Sequence, residues 1–313
     1  MIDIHCHFLP WVDDGPRDLA VAGAALAAHA ADGIGTVVLT PDIHPGRWDN
    51  SLSSLQPRFE AFRRYVAAAG MDLDLRLGAQ VHLCAESLAL VDAGEVPFIG
   101  RWNDRPVMLV EFSDAGIPAD AFDSIAFLMS RDIVPMIAHP ECNKEVKVAF
   151  ERMRPFFEAG CLLQLTAASL VGTLGARAQD AAWRIVEAGW ACAVATGAYQ
   201  HGPRQPMMLR AREALRRRVG DRLAAALLHD NAYAIVEDKV PATVRVPESA
   251  ARSVPRSSGI HAGGRDTAVR EPVPMVRGDM PAAPARRIGQ AAAVRPSEPV
   301  WMAPRDEPVI VNA

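Results

Sequence analysis

The chain has 313 residues, half of them hydrophobic, and a net charge of −4 from 33 Lys and Arg against 37 Asp and Glu. It is long enough for one large domain or two small ones, its charge gives no reason to expect nucleic acid, and no apolar run approaches the roughly 20 residues that span a bilayer. There is no basic start followed by an apolar segment, and the five cysteines (Cys6, Cys84, Cys142, Cys161, Cys192) form no CxxC pair, so the expectation is a cytoplasmic protein with reduced thiols, no signal peptide and no membrane insertion.

The first predicted element is a short apolar strand over 2–4 that runs into His5-Cys6-His7. Side chains two apart on a strand share a face, so His5 and His7 can reach one metal as neutral imidazoles. Asp18 is placed to cap a helix over 18–31, with Gly33 as its stop. A strand over 36–39 leads into the polar run Thr40 to Asn50, which contains Asp42, His44 and Arg47. A helix over 52–69 ends at Gly70, and a strand over 73–79 leads into Gln80-Val81-His82. The strand over 107–111 ends in Glu111, with Asp114 beyond it. A helix over 121–131, capped by Asp120, precedes the strand over 134–137, which ends in Ala138-His139-Pro140-Glu141-Cys142-Asn143-Lys144. A helix over 146–158 stops at Gly160, and the strand over 162–165 brings Gln164, Thr166 and Ser169. A helix over 176–187 stops at Gly189, the strand over 192–195 leads to Thr196-Gly197-Ala198-Tyr199-Gln200-His201 with Arg204 beyond, and a helical region covers 208–229.

Seven strands alternating with helices imply parallel strands joined by crossovers, and the number fits a distorted seven-stranded β/α barrel. In such barrels the chemistry lies where strands end and loops begin. The barrel domain is expected over 1–245. From 246 to 313 the composition turns to Pro, Ala, Arg, Ser and Gly with few large apolar residues, which predicts a disordered tail. A lone histidine is ordinarily a hydrogen-bonded structural residue, and His29, His229 and His261 are read that way. His5, His7 and His139 instead end two strands in one direction and are expected to face one cavity. Arg47, Lys144 and Arg204 beside a metal cavity would suit a phosphate-like anion. Phe8, Trp11 and Trp48 form an apolar rim that would suit an aromatic leaving group or would serve only to cover the barrel mouth.

Several ordered segments together carry a resemblance. They are Ile2 to Pro10 with Asp13-Asp14-Gly15, Thr40-Pro41 through Asn50, Gly78 to Cys84 with Gly94-Glu95-Val96-Pro97, Glu111-Phe112, Ala138-His139-Pro140-Glu141, and Gly172 to Gly175. Over about residues 1 to 240 the chain resembles the polymerase-and-histidinol-phosphatase (PHP) superfamily. Within it, the chain is similar to the bacterial tyrosine-protein phosphatases of capsule and exopolysaccharide loci. The resemblance implies a distorted seven-stranded β/α barrel with divalent metals, usually Mn2+, at the strand ends. The metals bind phosphate and supply a hydroxide that attacks phosphorus in line with the tyrosine leaving group. It also implies a partner, the phosphotyrosine tail of a tyrosine autokinase controlling polysaccharide export, and leaves room for a homo-oligomer. The metal ligands carried over are His5, His7, Asp42, Gln80, Glu111 and His139.

The chain departs from that pattern at the chemical positions. Asp42 stands where the family has His, Gln80 where it has a metal-bridging Glu, and Cys142 where it has a phosphate-holding Arg. Thr196-Gly197-Ala198-Tyr199 replaces Ser-Asp-Ala-His, and Asp114 stands near a usual His. Asp42 remains a hard oxygen ligand, whereas Gln80 is neutral, Gly197 offers no ligand, and Cys142 lacks the bidentate fork of Arg. His44, His82 and His201 lie close in sequence to the altered positions. Two main readings follow, a phosphotyrosine phosphatase with a reduced metal set and a pseudophosphatase that binds or regulates the export kinase; a third is a hydrolase of a small phosphate ester that uses a single metal.

Overall fold

The computed structural model describes residues 1–113, 115–199 and 206–239. Asp114, His201, Arg204 and the tail expected over 246–313 lie outside the described residues. Among the described residues, ten strands are present in chain order: β1 (Ile2–Cys6), β2 (Thr36–Leu39), β3 (Asp42–Ile43), β4 (Asp74–Leu77), β5 (Gln80–His82), β6 (Gly100–Trp102), β7 (Arg105–Glu111), β8 (Val134–Ala138), β9 (Leu162–Thr166) and β10 (Ala191–Ala195). They form two parallel sheets, one ordered β1-β2-β4 and one ordered β10-β9-β8-β7-β5-β3. Only β6 runs antiparallel, against β7.

The two sheets continue into each other. Leu39 pairs with Leu77 and Asp42 with Gln80, so β2–β4 and β3–β5 keep one register across the gap. Between them the amides of Gly78 and Gln80 donate to the carbonyls of Leu39 (2.8 Å) and Pro41 (3.1 Å). The gap falls at Pro41, which has no N–H to give to a ladder. The strand expected over 73–79 is shorter, β4 at Asp74–Leu77, and the run expected to follow it forms a further strand, β5, from Gln80. At the other side of the molecule, Gly197 N–H donates to the His5 carbonyl and His7 N–H to the Ala198 carbonyl, both at 2.8 Å. The chain leaving β10 thus runs alongside the end of β1.

Each strand end is positioned by a buried strand body. Ile2, Ile4, Val38, Leu109, Met136, Ala193 and Ala195 form one apolar cluster, closed from one end by Ala232 and Ile235 of the helix Asn231–Val236. A second, larger cluster joins the strands to the covering helices, among them α1 (Leu19–Ala31) and α2 (Leu52–Ala68). Full burial of each large aliphatic side chain contributes roughly 1.5–3 kcal/mol. Asp18 caps α1 as expected, accepting from Ala20 and Val21, and the stop glycines Gly33, Gly70, Gly160 and Gly189 all have positive φ. Asp120 sits at its N-cap position without a side-chain cap bond. Among the described helices, none is long and apolar enough to cross a membrane.

Other elements also differ from expectation, among them a helix at Ala85–Asp92 that was not expected. The helix expected over 146–158 is broken into Lys144–Val148, a short 3-10 turn and Arg154–Glu158, because Pro155 starts a new helix and cannot continue one. The helical region over 208–229 is interrupted at Gly220, which takes φ 87°. The hairpin β6–β7 was not anticipated; its two-residue turn Asn103-Asp104 has φ of 50° and 64°, the left-handed pair that a tight hairpin requires.

Gly100, at φ 148°, shows how closely the last helix packs: a Cβ there would lie 2.1 Å from the backbone oxygen of Ile235. Gly100→Ala is expected to destabilise by roughly 2–4 kcal/mol and to lower Tm by about 5 °C or more. Gly70→Ala, where φ is +70° but nothing lies within 4 Å, should cost only about 1–2 kcal/mol of backbone strain. Equal melting curves for the two variants would contradict this packing.

Candidate metal centre

β1 delivers His5 and, just past its end, His7, and both are fully buried. His5 Nδ1 lies 2.8 Å from Gln164 Oε1, and Gln164 Nε2 donates to the Leu165 carbonyl at 2.7 Å. Gln164 therefore presents its oxygen, and the His5 hydrogen sits on Nδ1. His7 Nδ1 lies 2.8 Å from Asp13 Oδ2 and donates to it by the same logic. The two Nε2 atoms then face each other at 3.2 Å. Two lone pairs at that separation repel unless a proton or a cation lies between them. The spacing suits two nitrogens that each sit roughly 2.0–2.1 Å from one divalent ion.

The neighbouring strand ends close around this pair. His139 follows β8 in the left-handed region at φ 33°, and its ring lies 5.4 Å from that of His5. Such a conformation in a non-glycine residue stores strain of the kind found at functional sites. Glu111, at the end of β7, places Oε1 3.5 Å from His139 Nε2. Glu141 is wholly buried and accepts from Thr166 N–H and the Ser169 hydroxyl, each at 2.8 Å, which ties the loop after β8 to the end of β9.

On the other side, Asp42 Oδ1 lies 3.8 Å from His7 Nδ1 and accepts the Gln80 amide at 2.9 Å. Gln80 Oε1 is buried with no hydrogen-bond partner among the described residues. An amide oxygen is a hard ligand of the type that manganese or magnesium accepts. The convergent histidine nitrogens and this oxygen fit a divalent ion. His5 and Glu111 lie at the ends of β1 and β7, and His7 and His139 just past β1 and β8, whereas Asp42 and Gln80 open β3 and β5, with Asp42 Oδ1 3.8 Å from His7 Nδ1.

Asp13 was not anticipated as part of the site beyond its place in the Asp13-Asp14-Gly15 run. Its carboxylate accepts from His7 Nδ1, from Asp42 N–H at 3.1 Å and from Gly15 N–H at 2.8 Å. Ligand atoms of His7, Asp13 and Asp42 lie within 4.8 Å of one another. A Cβ on Gly15 would meet the His7 carbonyl at 2.2 Å, so the loop between them folds back only with glycine there. Nothing in the spacing alone marks Asp13 as the acceptor; the fold-back does.

The remaining candidates are placed differently. Arg47 is paired with Asp14 at the surface, both half exposed, an arrangement contributing at most about 1 kcal/mol. Lys144 begins its short helix with an exposed side chain and makes no ion pair with a described residue. Tyr199 stacks on His7 at 3.9 Å and 9°. Cys142 is buried in the turn after His139. His44 and His82 stack on each other at 4.0 Å, and burial, then the His44 charge, pulls the His82 imidazole below its usual range. His29 is structural as expected: its Nε2 meets Asp3 Oδ2 at 3.0 Å, and Asp3 also accepts the Thr196 hydroxyl and amide. Phe8 is buried edge-on to His29 and leaves the expected rim. None of the described cysteines forms a disulfide, and burial pushes Cys161 and Cys192 up to about 12.

Comparison with known proteins gives a consistent result. The family model described as capsular polysaccharide synthesis, CpsB/CapC, matches residues 1–237. The chain is 29% identical over 199 residues to tyrosine-protein phosphatase YwqE of Bacillus subtilis (strain 168), covering 64% of this chain and 77% of that protein. It is 25% identical over 245 residues to tyrosine-protein phosphatase CpsB of Streptococcus pneumoniae, covering 77% of this chain and all of that protein (100%). A solved structure from work on YwqE and CpsB, described as unique metal-dependent tyrosine phosphatases, superposes with a TM-score of 0.71 at 26% identity, over 78% of this chain and 100% of that one. That likeness agrees with the mixed α/β fold of parallel sheets described above.

Burial pulls the His7 imidazolium down, but the Asp42 carboxylate, the Asp13 hydrogen bond and the charges of Asp13 and Glu111 outweigh it and hold its pKa above the ordinary 6.5. A group whose folded pKa is raised contributes stability that is complete below the unfolded value and is lost as pH rises through the folded one. Chelator-treated protein should therefore lose thermal stability as pH rises from about 6.5 through the His7 titration, and Asp42→Asn should shrink that loss. A wild-type Tm that climbs across the same window would contradict the assignment.

Proposed function

The chain belongs to the capsular polysaccharide synthesis CpsB/CapC family, and from that premise we propose that it is a metal-dependent phosphotyrosine phosphatase working with a reduced metal set. The observation that carries the reading is the approach of His5 Nε2 and His7 Nε2 to 3.2 Å with both outer nitrogens already committed. His5, His7, His139 and Glu111 would hold the ion, with Asp42 and Gln80 Oε1 as oxygen ligands. Mn2+ is the ion this set suits. When bound, it supplies an activated water and positive charge for the phosphoryl oxygens.

The protein's own groups do the rest. Gln164 fixes the His5 tautomer, and Asp13 orients His7 and carries negative charge behind it, as outer partners of metal-bound imidazoles do. Arg47, Lys144 and Arg204 are the phosphate-binding candidates, with Arg47 first exchanging Asp14 for the phosphate. The substrate in this reading is the phosphotyrosine tail of a cytoplasmic tyrosine autokinase serving capsule or exopolysaccharide export. The fold that goes with it is a distorted seven-stranded β/α barrel over 1–245. The continuous β2–β4 and β3–β5 register and the backbone bonds from 197–198 to β1 support that closure.

A second reading, a pseudophosphatase that binds the export kinase, is favoured by two contacts. The Gln80 amide donates to Asp42, where an anionic bridge would be needed, and the Tyr199 ring lies flat on His7. Metal content and p-nitrophenyl phosphate hydrolysis with added manganese separate the two. The phosphatase reading expects at least one ion per chain and turnover that falls 100-fold or more in His7→Ala. Less than one ion per chain with background turnover would overturn it. On the pseudophosphatase reading, the combination Asp42→His, Gln80→Glu, Cys142→Arg, Gly197→Asp and Tyr199→His should instead raise activity. A restored protein that binds metal and remains inert would refute the family mechanism for this chain.

A further inference from the structure

Trp11 is the one exposed residue in a stretch where Phe8, Leu9, Pro10, Val12 and Asp13 are all buried. Its side chain is 55% exposed, and its backbone sits at φ 62°. A bulky side chain in that region is strained, and an indole gains by burial, so both effects oppose what is seen. The conformation persists because its surroundings over-determine it. Trp11 N–H donates to the Pro16 carbonyl at 3.0 Å. The next residue, Val12, is fixed through its carbonyl by Asn50 Nδ2 at 2.8 Å, and the same nitrogen donates to the Asp42 carbonyl at 2.7 Å. The residue after that is Asp13, bound to His7. Asp14 completes the loop by pairing with Arg47 across the mouth. Strain held this firmly beside a site is characteristic of ligand clamps.

We infer that Trp11 is the specificity-determining residue of the site, an indole held at the mouth to stack on the aryl ring of a phosphorylated aromatic group whose phosphate lies at the His5–His7 corner. The inference rests on the phosphatase reading and adds to it the selection of aryl over alkyl phosphates. Two residues of chain span at most about 7 Å, so Trp11 stays within one ring's reach of the Asp13–His7 pair. Trp48, on the facing turn, is half-buried, Phe8 is covered, and Tyr199 is half-buried with its ring flat on His7, so among the described aromatic residues named here Trp11 is the exposed one.

The test is titration calorimetry of the full chain with Mn2+ present, using phenylphosphonate and methylphosphonate, neither of which can be hydrolysed at oxygen. Wild type should prefer the phenyl compound. Trp11→Gly should lose roughly fivefold to tenfold of phenylphosphonate affinity, keep its methylphosphonate affinity, and melt close to wild type, since relief of the strained φ offsets the part of the indole that is covered. Trp11→Phe should recover most of the preference. If Trp11→Gly binds both compounds as wild type does, the stacking role is wrong while the phosphate site stands. If both affinities fall together, Trp11 only shapes the loop and the inference fails. If neither compound binds wild type, the phosphatase reading fails and takes this one with it.

Discussion

The carboxylate of Asp13 is the interaction on which the site depends. It accepts from the His7 imidazole, the Asp42 amide and the Gly15 amide. One buried group thereby sets the tautomer of a metal-facing histidine, the position of the β3 start and the fold-back of the first loop. A buried carboxylate with that many donors is held firmly, whereas any one of the donors left alone would be a buried unsatisfied group. The exposed, strained Trp11 and the Asp14–Arg47 pair sit in or on this same loop, so mouth and centre are mechanically one unit.

The second constraint is backbone economy at Pro41. A missing amide interrupts two strand pairs without changing their register. The interruption lets β3 and β5 turn so that Asp42 and Gln80 meet across the pair and approach His7. Asp42 and Gln80 thus stand beside His7, and His139 beside His5 and Glu111. What has changed from the family pattern is their charge: Gln80 is neutral, and Tyr199 offers an aromatic face to His7 where a ligand would stand.

Much of this was legible in the residues. The His5-Cys6-His7 spacing, the strand ends carrying Asp42, Gln80, Glu111 and His139, and the capping by Asp18 all follow from local periodicity and short-range chemistry. The misses have two causes. Pro155 breaking a helix and Asn103-Asp104 turning a hairpin are local signals that the apolar pattern overrode. Arg47 turning to Asp14, Phe8 packing on His29 and Asp13 reaching three donors are long-range outcomes with no periodic trace.

By itself, then, the sequence determined the α/β class, the family and the set of residues available at the strand ends, because strand alternation and family motifs are written in neighbouring positions. Only the tertiary structure decided which of them meet. The 3.2 Å approach of His5 to His7, the Gln80 amide on Asp42 and the outward turn of Trp11 depend on chain segments separated by up to about 160 residues, as Gln164 against His5 shows. Side-chain direction at such a junction is set by packing and by the accounting of buried hydrogen bonds, and neither has a local signature.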